Sequence, residues 1–181
     1  MKFLFIYGLP GSGKLTISKE IVNLLGDKFK VFHNQMTVDI ISQFFKFATP
    51  VWSRLNGQFR RLMFEACAEE GINLISTFVH AHDYEGDTKF VKDIIDLVKK
   101  NGGETLFVNL VCAEEIVFQR IQNPDRKKHR KVSEPHKLKD TMNKWDLLTP
   151  IDFVDNLTVD SGKLSAKECA KLIVEHYSLS E

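Results

Sequence analysis

The stretch Gly8-Leu-Pro-Gly-Ser-Gly-Lys14, followed by Leu15 and Thr16, decides the fold of this chain. An apolar run at 3–7 precedes it and favours a strand, and apolar side chains recur at helical spacing over 15–25. A strand, a glycine loop and a helix in that order are typical of a phosphate-binding loop. The glycines let backbone N–H groups point inward, the helix adds its positive end, and the lysine adds a full charge. The sequence therefore predicts a cradle for the phosphates of a nucleoside triphosphate, formed by Gly8, Leu9, Pro10, Gly11, Ser12, Gly13, Lys14, Leu15 and Thr16.

Leu15 stands where many phosphate loops carry a serine or threonine that binds magnesium. The hydroxyl comes one place later, at Thr16. This Gly-Lys-x-Thr pattern resembles the loop of adenylate-kinase-like enzymes. The resemblance implies that Mg²⁺ sits mainly on nucleotide oxygens and water, so ATP and Mg²⁺ are the expected cofactors. The loop therefore predicts no fixed protein ligand for Mg²⁺, and Thr16 is its one candidate for direct contact with that ion.

Composition excludes several classes of protein. The chain has 181 residues, 43% of them apolar, which suits one globular domain with a full core. The net charge of +1 gives no indication of a nucleic-acid partner. Three widely separated cysteines argue against a disulfide framework or a zinc ribbon. No run is long enough to span a membrane or to act as a signal peptide, so we expect a cytoplasmic protein without a membrane partner.

Strand and helix patterns alternate along the chain, which predicts an α/β fold with a parallel sheet. Because ligands bind at the carboxyl ends of parallel strands, the segments 8–16, 33–39, 80–83 and 160–164 should surround one crevice. The predicted strands are 3–7, 29–32, 72–79, 104–111 and 156–159. The predicted helices are 15–25, 38–47 (capped by Thr37 or Asn34), 51–70, 87–100, 113–122, 135–147, and a last helix capped by Ser165 and ending near Tyr177.

The segment 120–131 is rich in arginine and lysine. Alone it could be a solvated loop, but beside a phosphate loop it is better interpreted as a lid that closes on the triphosphate. Together with the glycine loop and residues 158–165, which lead into the last helix, it resembles the nucleoside-monophosphate-kinase and shikimate-kinase superfamily of phosphate-loop kinases.

That resemblance implies a three-layer sandwich with helices on both sides of a five-stranded parallel sheet of order 2-3-1-4-5, in one domain, 1–181. It implies acceptor-binding helices at about 34–70 and a lid at about 120–134. Arg120 would pack on adenine, Arg126 would contact the transferring phosphate, Arg130 is a weaker candidate for that contact, and Asp160 would begin the adenine wall.

The acceptor side departs from the family pattern. Shikimate-type members carry an aspartate just after the second strand, where this chain has His33-Asn34-Gln35. The nearest carboxylate is Asp39, one helical turn later, and Asp83 is the second candidate for the base that accepts the hydroxyl proton. Asp39 could equally be an exposed first-turn aspartate that the helix dipole favours.

Other residues at the crevice have two interpretations. His33, His80 and His82 could bind a metal, but substrate contact by His33 and His80, or a purely structural role, is favoured. Arg54, Arg60 and Arg61 could belong to an amphipathic helix with solvated arginines, or could hold an anionic acceptor, for which Arg54 and Arg61 are the chosen residues.

Three functions follow from these patterns. The first is an ATP-dependent phosphotransferase that moves the γ-phosphoryl group to a small-molecule acceptor, with Lys14, Asp39 and Arg126 catalytic. The second is a nucleic-acid-directed kinase or RNA-binding NTPase. The third is a nucleotide-sensing module without turnover. The expected partners are the nucleotide and the acceptor, and the expected state is a monomer or homodimer.

Overall fold

The structure is a computed structural model that describes residues 1–124, 126 and 132–180. Its centre is a five-stranded sheet in which every pair of neighbours is parallel, in the order β2-β3-β1-β4-β5. This confirms the expected fold class and strand order. The strands are β1 (Lys2–Gly8), β2 (Lys30–His33), β3 (Leu74–Phe78), β4 (Glu104–Val111) and β5 (Asn156–Asp160).

The central strand β1 is buried on both faces, which explains why its sequence is a continuous apolar run instead of an alternating one. Phe3, Phe5 and Tyr7 point into one core, and Leu4 and Ile6 point into the other. The two cores separate the three layers. They lie between the sheet and the helices that cover each of its faces.

Seven α-helices are present in the described residues: α1 (Lys14–Leu25), α2 (Asn34–Ile41), α3 (Pro50–Glu69), α4 (Glu85–Lys100), α5 (Glu114–Ile121), α6 (Pro135–Lys144) and α7 (Ala166–His176). Helices α1 and α7 cover the Leu4 face, and α3 and α4 cover the Phe3 face. Ser165 caps α7 through a reciprocal pair of hydrogen bonds with Glu168, as its sequence position predicts. Gly26 ends α1 with a φ of 62°.

Helix α2 differs from its prediction at both ends. It starts directly after β2 with His33 as its N-cap, so neither Thr37 nor Asn34 caps it. It ends at Ile41 because the chain then turns, and the indole of Trp52 holds this turn through a 2.9 Å hydrogen bond to Ser42 Oγ. Helix α6 is also shorter than predicted, since Trp145 adopts an extended backbone and packs on Tyr84.

The buried face of α3 contains an arginine that the interpretation as an amphipathic helix placed in solvent. Arg60 is only 3% exposed, whereas Leu62 is 63% exposed. Trp52, Arg60 and Phe64 form the inward stripe at four- and eight-residue spacing. Because Arg60 is charged, the periodic spacing of apolar residues in the sequence does not indicate that this stripe faces inward.

The segments 8–16, 33–39, 80–83 and 160–164 all lie at or just after the carboxyl ends of strands, and the sheet brings those ends to one edge. No helix in the described part of the chain is both long and apolar enough to cross a lipid bilayer.

Candidate active site around the phosphate loop

The loop between β1 and α1 is closely packed and requires glycine. At Gly8, where φ is 142°, a Cβ atom would lie 2.3 Å from the main-chain oxygen of Leu110. Gly13 has a φ of 90° and occupies the N-cap of α1, with no side-chain cap. The uncapped start of α1 therefore faces the loop, which is the arrangement that favours a bound anion.

Lys14 bends back over this loop. Its Nζ atom donates to the main-chain oxygens of Gly8 and Leu9, both at 2.7 Å, and lies 3.4 Å from Ser12 Oγ. These contacts hold the ammonium group at the mouth of the loop, beside the start of α1. A phosphate oxygen bound there would meet a full positive charge in addition to backbone N–H groups.

Two cavities open on either side of the loop. The first, of about 330 Å³, is the Arg120 cavity, and it is lined by Gly11, Ser12, Gly13, Thr16, Ile17, Arg120, Arg126, Ser161, Leu164, Ser165 and Ala166. The second, of about 260 Å³, is the His33 cavity, and it is lined by Pro10, Gly11, Gly13, Lys14, Leu15, Thr16, His33, Asn34, Gln35, Val38, Phe47, Thr77, Val79, Arg126 and Val132. Both share Gly11, Gly13, Thr16 and Arg126, so the loop forms a common floor.

The wall of the Arg120 cavity is built from the loop after β5. Arg120 Nη2 donates to the main-chain oxygen of Ser161 at 2.9 Å, which fixes the guanidinium against that loop. Asp160 does not line the cavity. Its Oδ1 accepts from the N–H of Gly162 at 2.9 Å, and this bond is the main reason that the pKa of Asp160 is lowered. Asp160 thus shapes the turn that presents Ser161 and Leu164.

Arg126 lies where the two cavities meet. Its Nε donates to the main-chain oxygen of Val132 at 2.9 Å, and burial lowers the pKa of its guanidinium. A cation between two ligand cavities is suited to a charge that moves from one ligand to the other. Arg130, the weaker candidate for this contact, lies outside the described residues.

Polar side chains form the far wall of the His33 cavity. His33 ends β2, Asn34 and Gln35 begin α2, and Thr77 comes from β3. Asp39 is exposed and does not line the cavity, but its Oδ1 accepts a 2.6 Å hydrogen bond from Gln35 Nε2. Among the described residues that line the two cavities, none is an aspartate or a glutamate.

Of the three arginines on α3 that the sequence offered, Arg60 was not chosen, yet it is the one that the structure buries beside Asn34. Its guanidinium is packed among the rings of Phe64, Phe78 and Phe90, with Cζ 5.7, 5.2 and 4.7 Å from their centroids. Nη1 donates to Asn34 Oδ1 at 3.3 Å, whereas Nε and Nη2 are buried and find no hydrogen-bond partner among the described residues. The sequence signal that could have singled it out is its spacing, eight residues after Trp52 and four before Phe64.

Burial and a nearby carboxylate set the ionisation of this group. Burial lowers the pKa of Arg60 to about 10, and the negative charge of Asp87 opposes that shift. Burial in turn raises the pKa of Asp87 to about 6, against the opposing effects of a 2.9 Å hydrogen bond from the N–H of Ala81 and the charge of Arg60. Arg60 therefore stays charged at neutral pH, beside the acceptor-side wall.

The other predicted acceptor residues lie elsewhere. Arg54 and Arg61 are exposed on α3, and neither lines the two loop cavities. His80 is only 3% exposed and packs beside Tyr7 and His82, with ring centroids 6.3 and 6.4 Å away. Burial is the main cause that lowers the pKa of His80.

Asp83, the second candidate base, accepts a hydrogen bond from the N–H of Asp146 at 2.9 Å. It does not line either loop cavity. Within the described residues, no three histidine, cysteine or carboxylate side chains come together as a metal site.

Comparisons with known proteins found similarity in structure only. No protein-family model matches the chain, and no curated protein matches it either. Among solved structures, a sugar kinase from a Janibacter species shares 14% identity at a TM-score of 0.67, over 99% of this chain and 96% of the other. A gluconokinase from Sinorhizobium meliloti shares 14% identity at a TM-score of 0.62, over 99% and 98%.

A shikimate kinase from Acinetobacter baumannii in complex with shikimate shares 16% identity at a TM-score of 0.58, over 97% and 92%. All three likenesses extend over nearly the whole chain, and their low identities mean that they establish the fold alone. The five-stranded sheet, its strand order and the loop after β1 thus confirm the resemblance, and the chain has the fold of the shikimate-kinase-like phosphate-loop kinases.

Proposed function

We propose that this protein is an ATP-dependent kinase that transfers the γ-phosphoryl group to a small-molecule acceptor. The observation that carries the proposal is the pair of cavities that share the phosphate loop and Arg126. Transfer requires two ligands whose reacting atoms meet in line, at a place where charge is stabilised. The fold of the sugar, gluconate and shikimate kinases supports the same reaction class.

In this proposal the nucleotide occupies the Arg120 cavity. Its base lies against Arg120 and the turn shaped by Asp160, and its phosphates follow the loop towards Lys14. Lys14 and the loop N–H groups hold the outer phosphates, and Arg126 stabilises the negative charge on the group in transfer. Thr16 lines both cavities and is the loop hydroxyl through which a nucleotide-bound Mg²⁺ would contact the protein, directly or through water.

The acceptor occupies the His33 cavity. His33, Gln35 and Thr77 would hydrogen-bond its polar groups, and Phe47 and Val79 supply apolar contact. Arg60 does not line the cavity, but its Nη1 holds Asn34, which does. Its positive charge behind that wall favours an acceptor with a negatively charged group. His80, Arg54 and Arg61 remain predicted acceptor contacts for mutagenesis to test.

The acceptor oxygen can become reactive in two ways. Asp39 can act as the base if its carboxylate, now bonded to Gln35 Nε2, moves into the cavity. Alternatively, the reacting oxygen of the acceptor is already ionised, which the lack of a carboxylate among the described lining residues favours.

The test is transfer of labelled γ-phosphoryl from MgATP to a panel of sugars, hydroxy acids, nucleosides, nucleotides and oligonucleotides, with Lys14→Ala as the control. We expect a labelled small molecule that the Lys14→Ala protein does not form. Label on oligonucleotides alone would favour the nucleic-acid-directed kinase. Tight ATP binding with no labelled acceptor and slow, acceptor-independent hydrolysis would favour the nucleotide-sensing module.

A further inference from the structure

A groove between α3 and α4 lies outside the phosphate-loop crevice and has a volume of about 260 Å³. Its apolar walls are Phe64 and Phe90, which are aromatic, and Ile94 and Leu97, which are aliphatic. Phe64 and Ile94 are themselves buried, so the groove reaches the surface of the Phe3 core. It is a concave apolar site of the kind that takes small ligands.

Gly57 lines this groove from the middle of α3. Glycine in a helix interior costs about 1 kcal/mol relative to alanine. Nothing in the fold requires it here, because a Cβ built at Gly57 would meet no atom within 4 Å. A side chain at this position would project into the mouth of the groove, so the glycine keeps that mouth open at the expense of helix stability.

The rim of the groove carries an excess of positive charge. Lys89 Nζ lies 3.0 Å from each carboxylate oxygen of Asp93, so these two residues neutralise each other. Arg61, also on the rim, is exposed and forms no ion pair with any described side chain. An occupant with an apolar body and one negative group would match both the walls and the rim.

We propose that this groove is a second ligand site, which binds a small apolar or aromatic anion such as an alkyl carboxylate or an aryl sulfonate. The apolar body lies on Phe90 and Leu97, with the buried Phe64 beneath them, and the anionic group faces Arg61. Phe64 and Phe90 also hold the guanidinium of Arg60, so the occupant lies one side chain away from the group that contacts Asn34. The site does not depend on the proposed kinase reaction.

The test uses anilinonaphthalene sulfonate as a fluorescent probe of the full chain, with octanoate and octanol as competitors. We expect one saturable site, displacement by octanoate at a concentration about tenfold lower than by octanol, and no displacement by MgATP. Gly57→Leu should fill the mouth and weaken binding about tenfold or more, and Arg61→Gln should weaken it about threefold to tenfold.

Leu62→Ser is the matched control, because Leu62 is on the same helix but lines a different apolar groove, with Ile40, Phe44 and Phe59. It should change the affinity by less than about twofold. The proposal is overturned if binding does not saturate, if MgATP displaces the probe, or if Gly57→Leu binds as well as the wild type. Gly57→Ala, which favours the helix, provides a folded variant should the leucine disturb α3, and it should weaken binding measurably.

Discussion

The hydroxyl of Ser161 donates a 2.8 Å hydrogen bond to the main-chain oxygen of Ser12, and both residues are buried. This bond ties the loop after β5 to the phosphate loop. Arg120 in turn donates to the main-chain oxygen of Ser161. The phosphate loop, the loop after β5 and the end of α5 are therefore connected through Ser161. We expect Ser161→Ala to remove a hydrogen bond worth about 1 kcal/mol to the binding arrangement of the cavity, and so to weaken nucleotide affinity about fivefold. Equilibrium binding of a fluorescent ATP analogue measures it, and Ser53→Ala, an exposed serine, is the control.

Arg126 should act mainly on turnover. Because it lies between the two cavities, Arg126→Ala should lower kcat about 100-fold or more and change nucleotide affinity far less. Arg126→Lys keeps the positive charge but loses the planar guanidinium, so its kcat should lie between those of the wild type and Arg126→Ala. Steady-state kinetics and separate binding measurements distinguish these effects. Equal losses in kcat and in nucleotide affinity would contradict the catalytic role.

Asp39→Asn separates the two routes for the acceptor proton. If Asp39 is the general base for a hydroxyl acceptor, kcat should fall by about 100-fold or more, with the nucleotide KM nearly unchanged. If the acceptor oxygen is already ionised, kcat should change by less than about threefold, since the amide still accepts a hydrogen bond from Gln35. Asp83→Asn, at the second candidate base, is measured alongside it.

Arg60 should determine acceptor binding more than its exposed neighbours on α3. Arg60→Gln should raise the acceptor KM about tenfold or more and leave the nucleotide KM unchanged, because Arg60 contacts only the Asn34 side of the crevice. Arg54→Gln has the same chemical change at an exposed position and should raise the acceptor KM less than about threefold. The reverse ranking would support the sequence-based choice of Arg54.

Asp87 should make stability depend on pH. The pKa of this carboxyl is about 6 in the folded chain against 3.8 ordinarily, so between those values the folded state binds more protons than the unfolded state. The free energy of unfolding contributed by Asp87 therefore falls as pH rises from about 4 to 6, by about 1–2 kcal/mol after allowance for partial exposure.

Asp87→Asn keeps an oxygen that can accept from Ala81 and should remove this contribution. Urea unfolding at pH 4, 5, 6 and 7 measures the difference between the two proteins. The prediction fails if that difference stays constant over the series.

The parts of the fold that are determined locally were predictable from sequence. The loop at 8–16, the strand before it and the capping box at Ser165 each depend on residues within a few positions. Strand order came from the family resemblance, and the structure confirms it.

What sequence could not reveal depends on contacts between distant residues. Arg60 looks like a surface residue until Phe78 and Phe90, from β3 and α4, pack around it. The early end of α2 depends on the bond between Ser42 and Trp52, and no rule of helix periodicity contains that contact. Asp160 was assigned to the adenine wall because it ends a strand, but its carboxylate instead accepts from the N–H of Gly162 in the following turn.

The strand order also places the walls of the two cavities in different parts of the chain. The wall of the His33 cavity comes mostly from 33–79, the wall of the Arg120 cavity comes from 120–166, and the loop at 8–16 lies between them on the central strand. Only Arg126 and Val132 of the later stretch also reach the His33 cavity. In the proposed kinase, substitutions within 33–79 would therefore change acceptor recognition while the cavity proposed for the nucleotide keeps its lining.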